Sequence, residues 1–254
     1  MESKNHTSVV TLETIWDKDG REDIRISEKS NPIWLTLFIA VIVAGIFVVI
    51  QNLTYDPVVN WLGMTGFTLL TGFTALVVWG GGLITFGIMT KRLTWEDVKA
   101  KPVQFGGIKW IARTFGIAIL SYIASIIISV VMVSILPVQP NEVRAEIVMG
   151  GGNLAIGVLT ASILVPIAEE LFFRGFLFTS LRKRSSFWIA AILSSVCFGI
   201  IHGDPIGIVY AFVLGLIIAG VYEKSKSIYI AILLHMLINF ISTMVGLLIQ
   251  AYLV

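Results

Sequence analysis

The chain is poor in charged residues, which make up 13% of its 254 residues, against about 25% in an average soluble domain. Hydrophobic residues make up 56%, and the mean hydropathy is +0.90. This composition excludes an ordinary soluble enzyme and indicates an integral membrane protein. The sequence has a single cysteine, Cys197, which excludes an internal disulfide.

The sequence also lacks the features that indicate a nucleic-acid-binding protein or a secreted protein. The net charge is +2 and the basic residues are not clustered in one patch, so we expect no nucleic-acid partner. The first 30 residues are polar and mixed in charge, without the apolar core of a secretory signal. We interpret residues 1–30 as a solvated or loosely ordered cytoplasmic tail, in which Val9 to Trp16 could form a short amphipathic helix.

After the tail, the chain is a series of apolar segments, to be compared with the ~20 residues that a membrane-spanning helix needs. Seven can be delimited: Trp34 to Gln51, Gly66 to Met89, Trp110 to Leu136, Leu154 to Leu181, Phe187 to His202, Ile206 to Tyr222 and Ile228 to Val254. The second and fourth are long enough to contain a break, at Gly80-Gly81-Gly82 and at Pro166, so seven helices and eight are both open. We predict one all-α transmembrane bundle over residues 31–254.

Lysines and arginines are distributed unevenly between the loops that join these segments. They concentrate in the tail and in every second loop, whereas the opposite loops contain only Arg144. Because positively charged loops are retained in the cytoplasm, we expect a cytoplasmic N-terminus and, with seven spans, a C-terminus outside. The compact chain without organelle signals suits a bacterial plasma membrane.

Two adjacent carboxylates and an arginine interrupt the fourth apolar segment, where an uncompensated charge would be costly. Residues four apart share a helix face, so Glu170 and Arg174 are predicted to form an ion pair, while Glu169 points about 100° away. Pro166 cannot donate to the carbonyl of Ser162 and is expected to bend the helix before the acidic pair, which could open a small polar cavity. The alternative is an ion-paired packing motif without chemistry.

Two later segments each carry a histidine. His202 follows Phe198 by one helical turn, precedes a Gly-Asp-Pro turn, and lies between helices of only about 16 residues, so this hairpin is expected to stop at membrane depth. His235 and Asn239 are also one turn apart and should both face the bundle interior. Each pattern alone also fits an interfacial histidine or packing contacts between helices. Together with the acidic pair, they indicate chemistry inside the membrane.

In chain order, these patterns resemble the EExxxR, FxxxH and HxxxN motifs of the CPBP family, also called Abi proteins, which includes CaaX proteases and bacteriocin-processing enzymes. The matching residues are Glu169-Glu170-Leu-Phe-Phe-Arg174, Phe198-Gly-Ile-Ile-His202 and His235-Met-Leu-Ile-Asn239. The resemblance covers residues 154–240, and the first three segments match only in being hydrophobic.

The resemblance implies an intramembrane endopeptidase that acts on a membrane-embedded or lipidated peptide or protein. It implies that Glu169 and His202 activate a water molecule, and that His235 and Asn239 stabilise the oxyanion of the tetrahedral intermediate. The groups expected to support this site are Glu170, Arg174 and Phe198. Buried carboxylates and donors are chemically suited to these roles in amide hydrolysis.

A metal and two other functions stay open at this point. Glu169, His202 and His235 would make a three-ligand zinc site with one position for water, yet no HExxH pair fixes two ligands on one helix. A binding or self-immunity protein could retain the motifs without cleavage. A transporter could use the buried charges as a proton relay, but the sequence shows no repeated halves. Membrane lipid surrounds the protein in every case, and the sequence sets no oligomeric state.

Overall fold

The computed structural model describes residues 10–16, 22–28, 33–82, 98, 107–135 and 153–253. Strands β1 (Val10–Trp16) and β2 (Glu22–Glu28) pair antiparallel, with Val10 opposite Glu28 and Trp16 opposite Glu22. The short helix expected at 9–16 is therefore wrong. The physical reason is that this segment is rich in β-branched residues, which favour an extended strand when a partner strand is present.

The rest of the described chain is helical. The elements are α1 (Ile33–Thr74), a π-helical continuation of α1 (Ala75–Gly82), α2 (Gly107–Ile135), α3 (Leu154–Arg182), α4 (Phe187–Ile200), α5 (Pro205–Ser225) and α6 (Ile228–Leu253). In the described ranges, five stretches are long and apolar enough to cross a membrane: Leu53–Val78, Ile108–Ile135, Leu154–Arg182, Pro205–Ser225 and Ile228–Ile249. Shorter apolar helices occur at Leu35–Gln51 and Phe187–Ile200. This arrangement confirms the predicted helical membrane bundle.

Helix α1 folds back on itself at Gly63, where the backbone leaves the helical region with φ 70° and ψ 173°. The Thr71 hydroxyl is 3.1 Å from Oε1 of Gln51, and the rings of Tyr55 and Phe67 are 5.0 Å apart. Twenty residues of straight helix would separate Gln51 and Thr71 by about 30 Å. The positive φ suits glycine, so Gly63 marks the turn of a helical hairpin. Residues 52–65, expected to be a loop, are therefore mostly helical.

Neither of the two break points expected within the apolar segments is seen as a simple interruption of a helix. Gly80 to Gly82 end the π-helical part of α1, and the remainder of the second predicted segment, 83–89, lies outside the described residues. Pro166 does not interrupt α3. Instead, α3 alternates between α-helical and π-helical turns, with π-helix at Thr160–Leu164 and Leu171–Phe178.

The second half of α3 lies in the centre of the bundle. Its most completely buried side chains are Phe172, Phe173, Phe176, Leu177, Phe178 and Leu181. By contrast, α1 and α2 expose many large apolar side chains, among them Phe38 and Ile127. On a soluble protein this would be an anomalous surface, but in a bilayer these faces contact acyl chains. The chain thus surrounds α3 with lipid-facing helices.

Helices α4 and α5 form the hairpin that carries His202. Helix α4 has 14 residues, so the prediction of a short helix is confirmed there. Helix α5 has 21 residues, so the same prediction is wrong for α5. The turn between them uses Gly203 with φ 77° and the Asp204 side chain, which accepts a 2.8 Å bond from the Gly207 backbone. This N-cap, together with Pro205 at the first helical position, begins α5 directly after His202.

Candidate active site

Helix α3 supplies a buried ion pair at the centre of the bundle. Nη1 of Arg174 donates to Oε1 of Glu170 at 2.9 Å, and both side chains are almost fully buried. The ion pair predicted from the four-residue spacing is therefore confirmed. Arg174 also donates through Nη2 to the Gly215 carbonyl at 3.3 Å, and its guanidinium lies 4.8 Å from the centre of the Phe198 ring. These contacts fix Arg174 in one orientation, with its charge compensated.

His235 of α6 joins both carboxylates. Its Nδ1 is 2.8 Å from Oε1 of Glu170, and its Nε2 is 3.6 Å from Oε2 of Glu169. Because a carboxylate oxygen only accepts, Nδ1 carries a hydrogen atom and donates a hydrogen bond to Glu170. Glu170 therefore fixes the orientation of the imidazole, and Nε2 is directed at Glu169.

The approach of His235 to Glu169, at 3.6 Å, is longer than a direct hydrogen bond. If both were unprotonated, two acceptor atoms would face each other at 3.6 Å in a buried site. Among the described residues of this cluster, the carboxylates of Glu169 and Glu170 accompany one guanidinium, that of Arg174. A proton held on this pair brings the site to neutrality, which a low-dielectric interior favours. The pair is placed to exchange a proton through one bridging water molecule.

Phe198 packs against both histidines. Its ring centre lies 5.0 Å from that of His202 and 5.7 Å from that of His235, both edge-on, and Phe173 packs against it at 4.9 Å. Nδ1 of the half-buried His202 donates to the Phe198 carbonyl at 2.8 Å, so in the neutral ring Nε2 carries the lone pair. His202 is thus linked to the cluster through its contact with Phe198.

Asn239 contacts the backbone of α3. Its Nδ2 donates to the carbonyl of Ala161 at 3.0 Å, and one turn further along α6 the hydroxyls of Thr243 and Ser162 lie 3.4 Å apart. One of the two N–H groups of the Asn239 amide is therefore used within the protein. The oxyanion role expected for Asn239 stays a prediction, and the contact with Ala161 was not expected.

The structure does not group the expected zinc ligands. Glu169 and His235 approach each other, but the described residues contain no group of three His, Cys, Asp or Glu side chains placed to hold a metal ion. A set of two protein ligands is smaller than the three that catalytic zinc uses. Metal dependence stays a prediction.

Sequence reasoning missed two residues that shape the site. Gly215 provides the carbonyl for Arg174 and also lets α4 come close, since a Cβ there would be 2.8 Å from the Ser195 side chain. Thr243 continues the polar face of α6, eight residues after His235. The recurrence of polar residues at 235, 239 and 243 was a signal in the sequence. The small side chain of Gly215 was a signal for close helix packing, but the bond from Arg174 to its carbonyl had none because it depends on a neighbouring helix.

Comparisons with known proteins agree with the location of this site. Residues 151–241 match the family model described as type II CAAX prenyl endopeptidase Rce1-like. The chain is 34% identical over 82 residues to Bacillus subtilis YdiL, whose name describes a candidate membrane peptidase. It is 27% identical over 166 residues to the Staphylococcus aureus protein named membrane-embedded CAAX protease MroQ. No solved structure matches.

These matches cover only part of each protein. The first includes 32% of this chain and 34% of YdiL, and the second includes 62% of this chain and 65% of MroQ. The family match encloses Glu169, Glu170 and Arg174 on α3, His235 on α6 and His202 in the turn that follows α4. Residues 151–241, less than half of the chain, are therefore similar to the Rce1-like type II CAAX prenyl endopeptidases.

Proposed function

We propose that this multi-pass membrane protein is an intramembrane endopeptidase that hydrolyses a peptide bond with a water molecule activated at Glu169. The observation that carries the proposal is the buried pair of Glu169 and His235, 3.6 Å apart, with the far side of the imidazole held by Glu170. An oriented imidazole facing a carboxylate in a shielded site is the arrangement that general acid–base catalysis needs.

In the proposed reaction, Glu169 takes a proton from water as the oxygen attacks the peptide carbonyl. Nε2 of His235, protonated by the shared proton, donates to the developing oxyanion, where a buried donor has its largest effect. Glu169 then delivers the proton to the leaving amine. His202, whose Nδ1 donates to the Phe198 carbonyl, is assigned the second contact to this water, as an acceptor through Nε2.

The proposed substrate is a membrane-associated peptide or protein, because a site at the centre of a membrane bundle is reached most directly from the lipid phase. The family description and the name of MroQ support CaaX-like processing, whereas bacteriocin or signal-peptide processing is proposed from the resemblance of the motifs alone. We place the protein in a bacterial plasma membrane with a cytoplasmic N-terminus, on the basis of the charge distribution of the loops and the bacterial relatives.

The test is cleavage of membrane-peptide substrates, including prenylated CaaX peptides, by the purified protein in liposomes, with products identified by mass spectrometry. Glu169→Gln keeps the shape of the side chain and removes the base, so the rate should fall about 10²- to 10⁴-fold. Glu223→Gln is the matched control, because the ion pairs of Glu223 with Lys226 and Arg182 are partly exposed. Equal rates for wild type and Glu169→Gln would refute the mechanism. Substrate binding without cleavage would favour the binding or immunity alternative.

A further inference from the structure

The π-turn before Pro166 creates a specific gap in the hydrogen bonding of α3. The Val165 N–H donates to the Thr160 carbonyl, five residues back rather than four. Continued by one residue, this register pairs residue 166 with the carbonyl of Ala161. Residue 166 is proline and has no N–H, so the Ala161 carbonyl loses its helical donor. Inside a membrane such a carbonyl needs another partner.

Asn239 supplies that partner from a different helix, with Nδ2 donating to the Ala161 carbonyl at 3.0 Å. Asn239 lies one turn after His235 on α6, and Glu169 lies three residues after Pro166 on α3. The contact between Asn239 and Ala161 therefore lies next to the approach of His235 to Glu169, on the same two helices. The Ser162–Thr243 contact extends this interface by a further turn.

We propose that Asn239 is a positioning residue, which replaces the backbone hydrogen bond removed by Pro166 and so holds the π-turn that directs Glu169 toward His235. A π-turn contains one residue more than the corresponding α-helical turn. Its loss would rotate the two sides of α3 by about 100° relative to each other, because each residue advances the helix by that angle. Glu169 would then no longer face Nε2 of His235.

This role differs from an oxyanion donor in one testable respect, which is its dependence on Pro166. Pro166→Ala restores a backbone N–H, which can satisfy the α3 carbonyls without Asn239. Asn239→Leu removes the amide at similar volume. Unfolding midpoints in detergent are compared for the wild type, each single variant and the double variant. We expect Asn239→Leu to lower the midpoint in the wild-type background and to leave it unchanged in the Pro166→Ala background.

Thr243→Val is the matched control, because its partner is a side-chain hydroxyl and not the carbonyl left by Pro166. Its effect on the midpoint should be the same in both backgrounds. If Asn239→Leu also lowered the midpoint by the same amount in both backgrounds, the proposal would be overturned. This readout needs no substrate, so it stands or falls separately from the peptidase activity on which the catalytic part of the inference rests.

The activity readout then separates positioning from direct catalysis. We expect Asn239→Leu to lower kcat by up to about a hundredfold through misplacement of Glu169, with KM unchanged, and Pro166→Ala to restore most of the lost rate. A rate that stays lost in the double variant would overturn the positioning role and favour an oxyanion donor.

A measurement on the hydrogen bond between Asn239 and the Ala161 carbonyl in the wild type tests the proposal even if Pro166→Ala does not fold. In NMR spectra of protein labelled with 15N-asparagine, the Asn239 amide is identified by its loss in Asn239→Leu. We expect one of its two protons to exchange slowly with solvent. Rapid exchange of both protons would overturn the proposal.

Discussion

Replacement of Glu170 by leucine tests the electrostatic organisation of the site. The carboxylate accepts from Arg174 at 2.9 Å and from His235 at 2.8 Å, and neither partner has meaningful solvent exposure. Removing one member of a buried ion pair typically costs about 3–5 kcal/mol, because the other charge stays buried without compensation. The loss of the acceptor for Nδ1 of His235 adds about 1–3 kcal/mol. We therefore expect Glu170→Leu to lower the free energy of unfolding by about 4–8 kcal/mol.

The double variant Glu170→Leu/Arg174→Met separates the two contributions. It removes both charges and keeps an apolar side chain of similar length at position 174, so the cost of the uncompensated guanidinium disappears. The unpaired Nδ1 of His235 remains, which leaves about 1–3 kcal/mol of destabilisation. The double variant should thus be more stable than Glu170→Leu alone.

The assay is reversible denaturant or SDS-titration unfolding of the purified protein in mixed micelles, followed by circular dichroism and tryptophan fluorescence. Comparison of the wild type, both single variants and the double variant gives the coupling energy of the pair. A loss below about 1 kcal/mol for Glu170→Leu would refute the reasoning. A double variant whose loss equals the sum of the single losses would also refute it, since the two side chains would then act independently.

The remaining predictions concern helix packing, metal dependence and orientation. Gly215→Ala places a Cβ 2.8 Å from the Ser195 side chain and should destabilise the protein by about 1–3 kcal/mol. In the control variant Gly220→Ala, the new Cβ meets nothing within 4 Å, so the change should be neutral or slightly stabilising. Equal effects of the two substitutions on stability would contradict the close packing at Gly215. Complete chelation, checked by metal analysis, should leave the cleavage rate unchanged, whereas loss that zinc restores would contradict the metal-free mechanism. In a Cys197→Ala background, Lys226→Cys should react with a membrane-impermeant maleimide only after the cells are opened, because basic loops are cytoplasmic. Labelling of Lys226→Cys in intact cells would contradict the predicted orientation.

Contacts between residues one helical turn apart could be predicted from the sequence. The Glu170–Arg174 ion pair and the contact of Phe198 with His202 both follow from the geometry of a helix, in which residues i and i+4 share a face. The inward direction of His235 followed from the cost of exposing it to lipid. These are local consequences of helix periodicity and of the solvent around the helix, and neither requires knowledge of which helices are neighbours.

Contacts between distant segments could not be predicted in the same way. Glu170 and His235 are 65 residues apart, and only the packing of α6 on α3 brings them together. The π-turn that pairs Ala161 with Asn239 is a matter of backbone register, for which Pro166 was the only sign in the sequence. The turn at Gly63 was hidden because helical backbone continues on both sides of it.

The central claim is that Glu169 and His235 act as one proton-transfer unit in peptide hydrolysis, and a kinetic double-mutant cycle tests it most directly. Cleavage rates of one membrane peptide are measured for the wild type, Glu169→Gln, His235→Ala and the double variant, each at equal amounts of folded protein. Groups that act as a unit have strongly non-additive effects, so the double variant should be about as slow as the slower single variant. A near-wild-type rate in either single variant, or losses that multiply in the double variant, would contradict the claim.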